Sequence, residues 1–185
     1  FGAAYLSNTF FSVSKNLFNN TILIPNIFFI YLLPIYLNIK NVKKLFFFYK
    51  DNIKYLFLNL FIIIILTSFY DYISGPGGGI IFKLFYYESF PYLFYLISFF
   101  SYLVIFHFCF FDFKNNYLII LIIIFMFPFS YIFQKYLDPL SLILIFSLFK
   151  SEILDDFIFS LKDNIKYLYL YFSFLYFSSL CYYYL

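Results

Sequence analysis

Two short stretches hold most of the residues that could do chemistry. The first is DYISGPGGGIIFK, residues 71–83, which carries four of the five glycines in the chain. Gly77, Gly78 and Gly79 lack side chains at three successive positions. Their backbone N–H groups could face an anion directly if a helix begins at Ile80. Lys83, four residues beyond Gly79, then lies one turn into that helix, where an ammonium suits a phosphate or pyrophosphate. The stretch is not a Walker loop, because GK followed by Ser or Thr is missing. A plainer use is a tight turn that lets a loop fold down onto its neighbours. The second stretch is FQKYLDPL, residues 133–140. Pro139 is expected to break or start a helix, with Asp138 as its N-cap. Gln134, Lys135 and Asp138 therefore gather where one segment ends and the next begins. Lys135 and Asp138, three apart, could pair across one turn. A capped turn with an ion pair and a contact to a polar substrate both remain open.

Other candidates are weaker. His107 lies in the apolar run VIFHFCF, where a polar side chain needs a partner. With no second His or carboxylate at ligand spacing, an interhelical hydrogen bond suits it better than a metal. Asp71 and Glu88 bracket the glycine loop and read as solvated. Glu152, Asp155 and Asp156 read as one solvated face. Cys109 and Cys181 make no CxxC or Cys/His pattern and read as small buried hydrophobes. No metal site, cofactor or nucleic-acid partner is expected, and no residue is assigned a catalytic role.

The elements that position these residues follow from composition. Hydrophobic residues make up 65% of the chain and charged residues 11%. A soluble domain is nearer half apolar and a quarter charged, so this chain has too little polar surface to cover a globule in water. Its main solvent is lipid. The chain has 34 Phe, 22 Tyr and no Trp, and all twelve of its basic residues are lysines. That skew matches AT-rich codons, bacterial or organellar, so the aromatic excess is not by itself a binding surface. The sequence lacks an initiator Met and opens without a cationic leader. It reads as a single transmembrane domain over 1–185, the C-terminal fragment of a longer protein.

Charge-poor runs fall at about 21–39, 55–70, 91–111, 117–133, 137–149 and 167–185. A spanning helix needs about 20 apolar residues. In lipid an open strand leaves its backbone groups unpaired, so helices are expected throughout. The fold class is an all-α polytopic transmembrane bundle of about six spans. The fifth run is short enough to be re-entrant, and residues 1–18 are left open. With six crossings, Lys40, Lys43, Lys44, Lys50, Lys54, Lys114, Lys150, Lys162 and Lys166 share one side. Lys15, Lys83 and Lys135 fall on the other. Nine against three puts the Lys-rich loops inside and both chemical stretches at the outer mouth of the bundle. KDNIKYL occurs twice, at 50–56 and 162–168, each time leading into a span. Asp-Asn can cap a helix start there, and the tyrosines suit an interface.

GGGIIFK (77–83) and QKYLDPL (134–140) resemble segments of polytopic inner-membrane proteins of AT-rich marine bacteria. Those proteins are in turn similar to the C-terminal part of glycosyltransferases that use lipid-linked sugars. The resemblance covers less than half of the chain. It implies a site on the outer face of a bacterial inner membrane. It also implies a polyprenyl-phosphate-linked sugar donor, with Lys83, Lys135 and the glycine backbone as candidate contacts. The catalytic acid of that family lies in a first outer loop that has no match here. The alternative is a structural or respiratory subunit of an organellar membrane, such as the mitochondrial inner membrane, with His107 or Asp138 on a proton path. No paired broken helices at corresponding positions are evident, so a transporter finds little support.

Overall fold

The computed structural model describes the backbone of residues 2–72, 78–87, 90–127, 132 and 134–184; side chains are described over the same residues except 2–12, 87, 135–136, 161–164 and 178–184. Every regular element among the described residues is helical: α1 (Gly2–Tyr36), α2 (Ile39–Asp51), α3 (Ile53–Ser68), α4 (Gly79–Ile81) with a π-turn over Phe82–Tyr87, α5 (Pro91–Cys109), α6 (Phe113–Met126), α7 (Gln134–Ser147), α8 (Glu152–Phe159) and α9 (Leu161–Tyr184). The six apolar runs coincide with α1, α3, α5, α6, α7 and α9.

Helix α1 is the central post. Ile22, Leu23, Ile24, Ile27, Leu32 and Ile35 are all but inaccessible, and α1 packs against α5, α7, α4, α6, α2, α3, α8 and α9. A helix apolar on every side has no water-facing stripe and belongs in the middle of the bundle. Many outer side chains are just as greasy. Phe57, Phe61 and Ile64 of α3 and Phe125 and Met126 of α6 are exposed. In water such surface would drive aggregation, whereas against acyl chains it costs nothing.

Among the described residues, two stretches are long and apolar enough to cross a membrane, Val13–Tyr36 and Pro91–Met126. A third appears if α2 and α3, bent by 94° at Asn52, count as one span. The chain therefore has the make-up of an integral membrane protein, but the expectation of about six crossings is met only at this coarser level. The reason is length. Helices α3, α6 and α7 have 16, 14 and 14 residues, about 24, 21 and 21 Å at about 1.5 Å per residue. A hydrocarbon core is about 30 Å thick. Within Pro91–Met126 the chain folds back at Phe110–Asp112, because Tyr102 of α5 and Tyr117 of α6 line the same cleft beside α1.

Polar contacts fall into two groups at opposite ends of α1. At one end the Lys15 ammonium pairs with the Asp71 carboxylate. Asn19 clamps the Asp71 backbone there, donating to its carbonyl at 3.3 Å and accepting from its N–H at 3.1 Å. At the other end Lys44 of α2 donates to Asp156 of α8 at 2.6 Å, with Glu152 at 4.0 Å. The hydrogen bond to Asp156 holds the Lys44 ammonium above the usual lysine range. Asn116 clamps Lys150 as Asn19 clamps Asp71, donating to its carbonyl at 2.7 Å and accepting from its N–H at 3.1 Å. The connections at 37–54, 110–116 and 148–160 thus share one end of the bundle, as their lysines predict. Asp71, Asp156 and Glu152 are ion-paired rather than merely solvated. Asn116 is fully buried, so Asn116→Ala strips two backbone groups of their partners at a cost of about 1–3 kcal/mol. A lowered unfolding midpoint in a denaturing-detergent titration checks this.

The two KDNIKYL copies adopt different structures. In the first, the chain turns at Asn52, whose side chain donates back to the Phe48 carbonyl at 3.1 Å and does not cap α3. The second lies wholly within α9. The shared sequence is therefore not a shared capping device.

Candidate functional site

Among the described residues, two of the segments between helices, one ending at Gly78 and one ending at Gln134, meet. The first lies between Asp71 and Gly78 in the sequence. Asp71 is level with Asn19 on α1. A Cβ built on Gly79 would sit 3.1 Å from the Ile27 side chain and 3.2 Å from Gln134 Oε1. Ile27 is eight residues along α1 from Asn19, about 12 Å. The second interruption starts at Phe127, whose carbonyl accepts from Asn20, and arrives at Ile132 and Gln134 on the Ile27 level. There the segments are stitched together. The Gly78 N–H donates to the Ile132 carbonyl at 2.8 Å, and the Ile80 N–H donates to Gln134 Oε1 at 2.8 Å.

Glycine is required at this seam. Gly78 has φ 99° and Gly79 φ 78°, the left-handed region that side chains disfavour. Both are buried. The glycines thus lie well below the mouth of the bundle, because a backbone without Cβ atoms can press against α1. Of the N–H groups expected to face an anion, that of Gly78 is already satisfied within the chain, as is that of Ile80 beside them. Gly77 lies outside the described residues, as does Glu88. Lys83 is half-exposed in the π-turn that follows α4.

Asp138 and Pro139 depart from expectation. Helix α7 begins at Gln134, so Pro139 lies inside it and Asp138 is a helical residue rather than an N-cap. As the sixth residue of α7, Pro139 lies past the first turn, where a proline ring costs the helix a hydrogen bond. Pro139 cannot donate to the Lys135 carbonyl four residues back. Asp138 is half-buried, and the Tyr31 hydroxyl and the Gln134 side chain lie within interaction range of its carboxyl. Among the described residues its Oδ1 is buried without a hydrogen-bond partner, as is the Ser141 hydroxyl one turn on. Lys135 is placed in the first turn of α7, but its side chain lies outside the described residues, so the pair with Asp138 is not described.

The site therefore joins Gly78, Gly79, Gln134 and Asp138 and adds Tyr31, which sequence reasoning missed. Tyr31 sits one turn beyond Ile27 on the same face of α1. The signal was a polar tip at a span interior, lost among 22 tyrosines. Asn26 was missed too. It donates to Ser98 Oγ at 2.8 Å, and its own Oδ1 has no partner.

Two further features lie apart from this seam. His107 Nδ1 is 2.9 Å from the Tyr36 hydroxyl, the interhelical bond expected of it. An apolar cleft of about 210 Å³ opens between α1, α3, α5 and α6, lined by Thr21, Pro25, Asn59, Tyr102 and Ile120 among others. Pro25 and Ile27 point about 160° apart around α1, so the cleft and the polar seam do not form one chamber. Among the described residues no group of three or more His, Cys, Asp or Glu side chains could hold a metal. No family model, curated protein or solved structure matches this chain.

Proposed function

We propose that this is a membrane protein of the lipid-linked-sugar transferase type. The seam between the two interrupted segments would bind the polar head of a polyprenyl-phosphate-linked sugar from the outer face. One observation carries the reading: the Ile80 N–H to Gln134 Oε1 bond joins GGGIIFK to QKYLDPL. The two stretches that carry the resemblance stated above are thus the two that meet, although they are 54 residues apart. In this reading Lys83 and Lys135 supply charge to the phosphate, Asp138 and Gln134 orient hydroxyl groups, and the prenyl chain stays between helices. The orientation and the six crossings from the lysine count belong to the same proposal.

The test uses the protein reconstituted in nanodiscs. A polyprenyl-phosphate sugar should protect it from thermal unfolding better than the matching polyprenol, and Lys135→Ala should weaken that protection without lowering the ligand-free midpoint. Equal protection by the polyprenol would overturn the head-group site.

A second reading is favoured by one finding that the sequence did not reveal. Interrupted helices meeting part-way along a central helix are how many transporters build solute sites. Solute uptake into proteoliposomes, lost in Asp138→Asn, would select this reading over the first.

A further inference from the structure

Helix α2 is built to lie in a membrane surface. It meets α3 at 94°, so when α3 crosses the bilayer α2 lies along its plane. Its inner face is fastened to the ends of α1 and α5. Asn41 donates to the Ile35 carbonyl at 2.7 Å, and the Tyr49 hydroxyl donates to the Leu103 carbonyl at 2.8 Å. Asn38 caps its start, accepting from the Lys40 N–H at 3.0 Å.

The remaining surface of α2 is sorted by chemistry. At about 100° per residue, Ile39, Val42 and Phe46 form one edge, and they are 72%, 49% and 67% exposed. Lys40, Lys44 and Asp51 form the opposite edge. Lys44 faces α8 there, through Asp156 and Glu152, which marks that edge as the aqueous one. Between the edges run Lys43 and Lys50, both exposed. Seven residues separate them, about 10 Å along the helix, and they lie within about 20° of one line. Phe47 stands beside this line toward Lys40. An interfacial helix has this order: apolar edge in acyl chains, charge in water, ammonium groups at the level between.

We propose that α2 is an interfacial helix that binds anionic phospholipid. The ammonium groups of Lys43 and Lys50 each meet a lipid phosphate, while Ile39, Val42 and Phe46 sink into the acyl region beneath. The partner is the bilayer leaflet itself, because the lysine line runs between an exposed apolar edge and an aqueous one, the order in which a leaflet stacks acyl chains, phosphates and water.

The chain has no Trp, so Phe46→Trp gives a single reporter on the apolar edge. The Phe46→Trp protein is reconstituted into mixed bilayers of phosphatidylglycerol and phosphatidylcholine, with one or the other lipid brominated. Brominated phosphatidylglycerol should quench more strongly at equal mole fraction. Lys43→Gln or Lys50→Gln should reduce that preference about fivefold each, the effect of losing about 1 kcal/mol per surface lysine. Lys40→Gln, on the aqueous edge, should change it little. Equal quenching by the two lipids, or a preference that survives Lys43→Gln with Lys50→Gln, overturns the proposal. So does the absence of quenching by either, which would put α2 in water.

Discussion

Gly78→Ala is expected to destabilise the protein by about 3 kcal/mol. A left-handed residue with a Cβ costs about 1–2 kcal/mol, and Gly78 has φ 99°. The new methyl would also stand 2.3 Å from Cδ1 of Phe82, a buried ring packed against Tyr72, Tyr86 and Phe94. Overpacking of that kind costs about 1–3 kcal/mol. Gly79→Ala should cost less, because its nearest contacts are 3.1 and 3.2 Å away at side-chain atoms. The measurement is the unfolding midpoint in a denaturing-detergent titration. Phe82→Ala is costly alone, yet combined with Gly78→Ala it should cost less than the sum, because it removes the clash. A Gly78→Ala protein as stable as the parent would show that the seam is not held in this conformation.

Asp138 should behave in the opposite way. Asp138→Asn keeps an acceptor for the Tyr31 hydroxyl and removes a carboxylate whose Oδ1 is buried without a partner. Charge at membrane depth costs about 2.5 kcal/mol or more on insertion scales. The substitution is therefore expected to leave stability unchanged or to raise it by up to about 2.5 kcal/mol. The ligand affinity read from thermal protection should fall at least about tenfold, a loss of about 1.4 kcal/mol of binding. Residues kept for function at the expense of stability show this pattern. A clear loss of stability in Asp138→Asn would instead make the carboxylate a structural group.

Helices were legible in this sequence because lipid leaves the backbone no other way to satisfy itself. The lysine-rich connections share one end, and Lys44 with Asp156 and Asn116 with Lys150 tie them together there. What hydropathy could not report is reach. The apolar part of the fourteen-residue α7 reads as a greasy run whether or not it crosses. Nor could it separate lipid-facing from buried positions, because Phe61 on the outside and Phe94 in the core are the same residue in equally apolar surroundings. Pro139 was misplaced because the rule that prolines start helices holds only near the first turn, and α7 begins five residues earlier. The depth of the glycine turn was invisible for a related reason. It depends on Ile27, more than fifty residues away, leaving room only for hydrogen.

The two asparagine clamps differ in kind from the ion pairs near them. Amide groups carry no net charge, so dissolved electrolyte has little to screen in Asn19–Asp71 or Asn116–Lys150. The partly exposed Lys44–Asp156 pair between α2 and α8 weakens as salt shortens the Debye length from about 8 Å at physiological ionic strength to about 3 Å at 1 M. Concentrated salt should thus weaken the Lys44–Asp156 tie, while Ile153, Leu154 and Phe157 keep α8 in the apolar core and the amide clamps hold the longer helices.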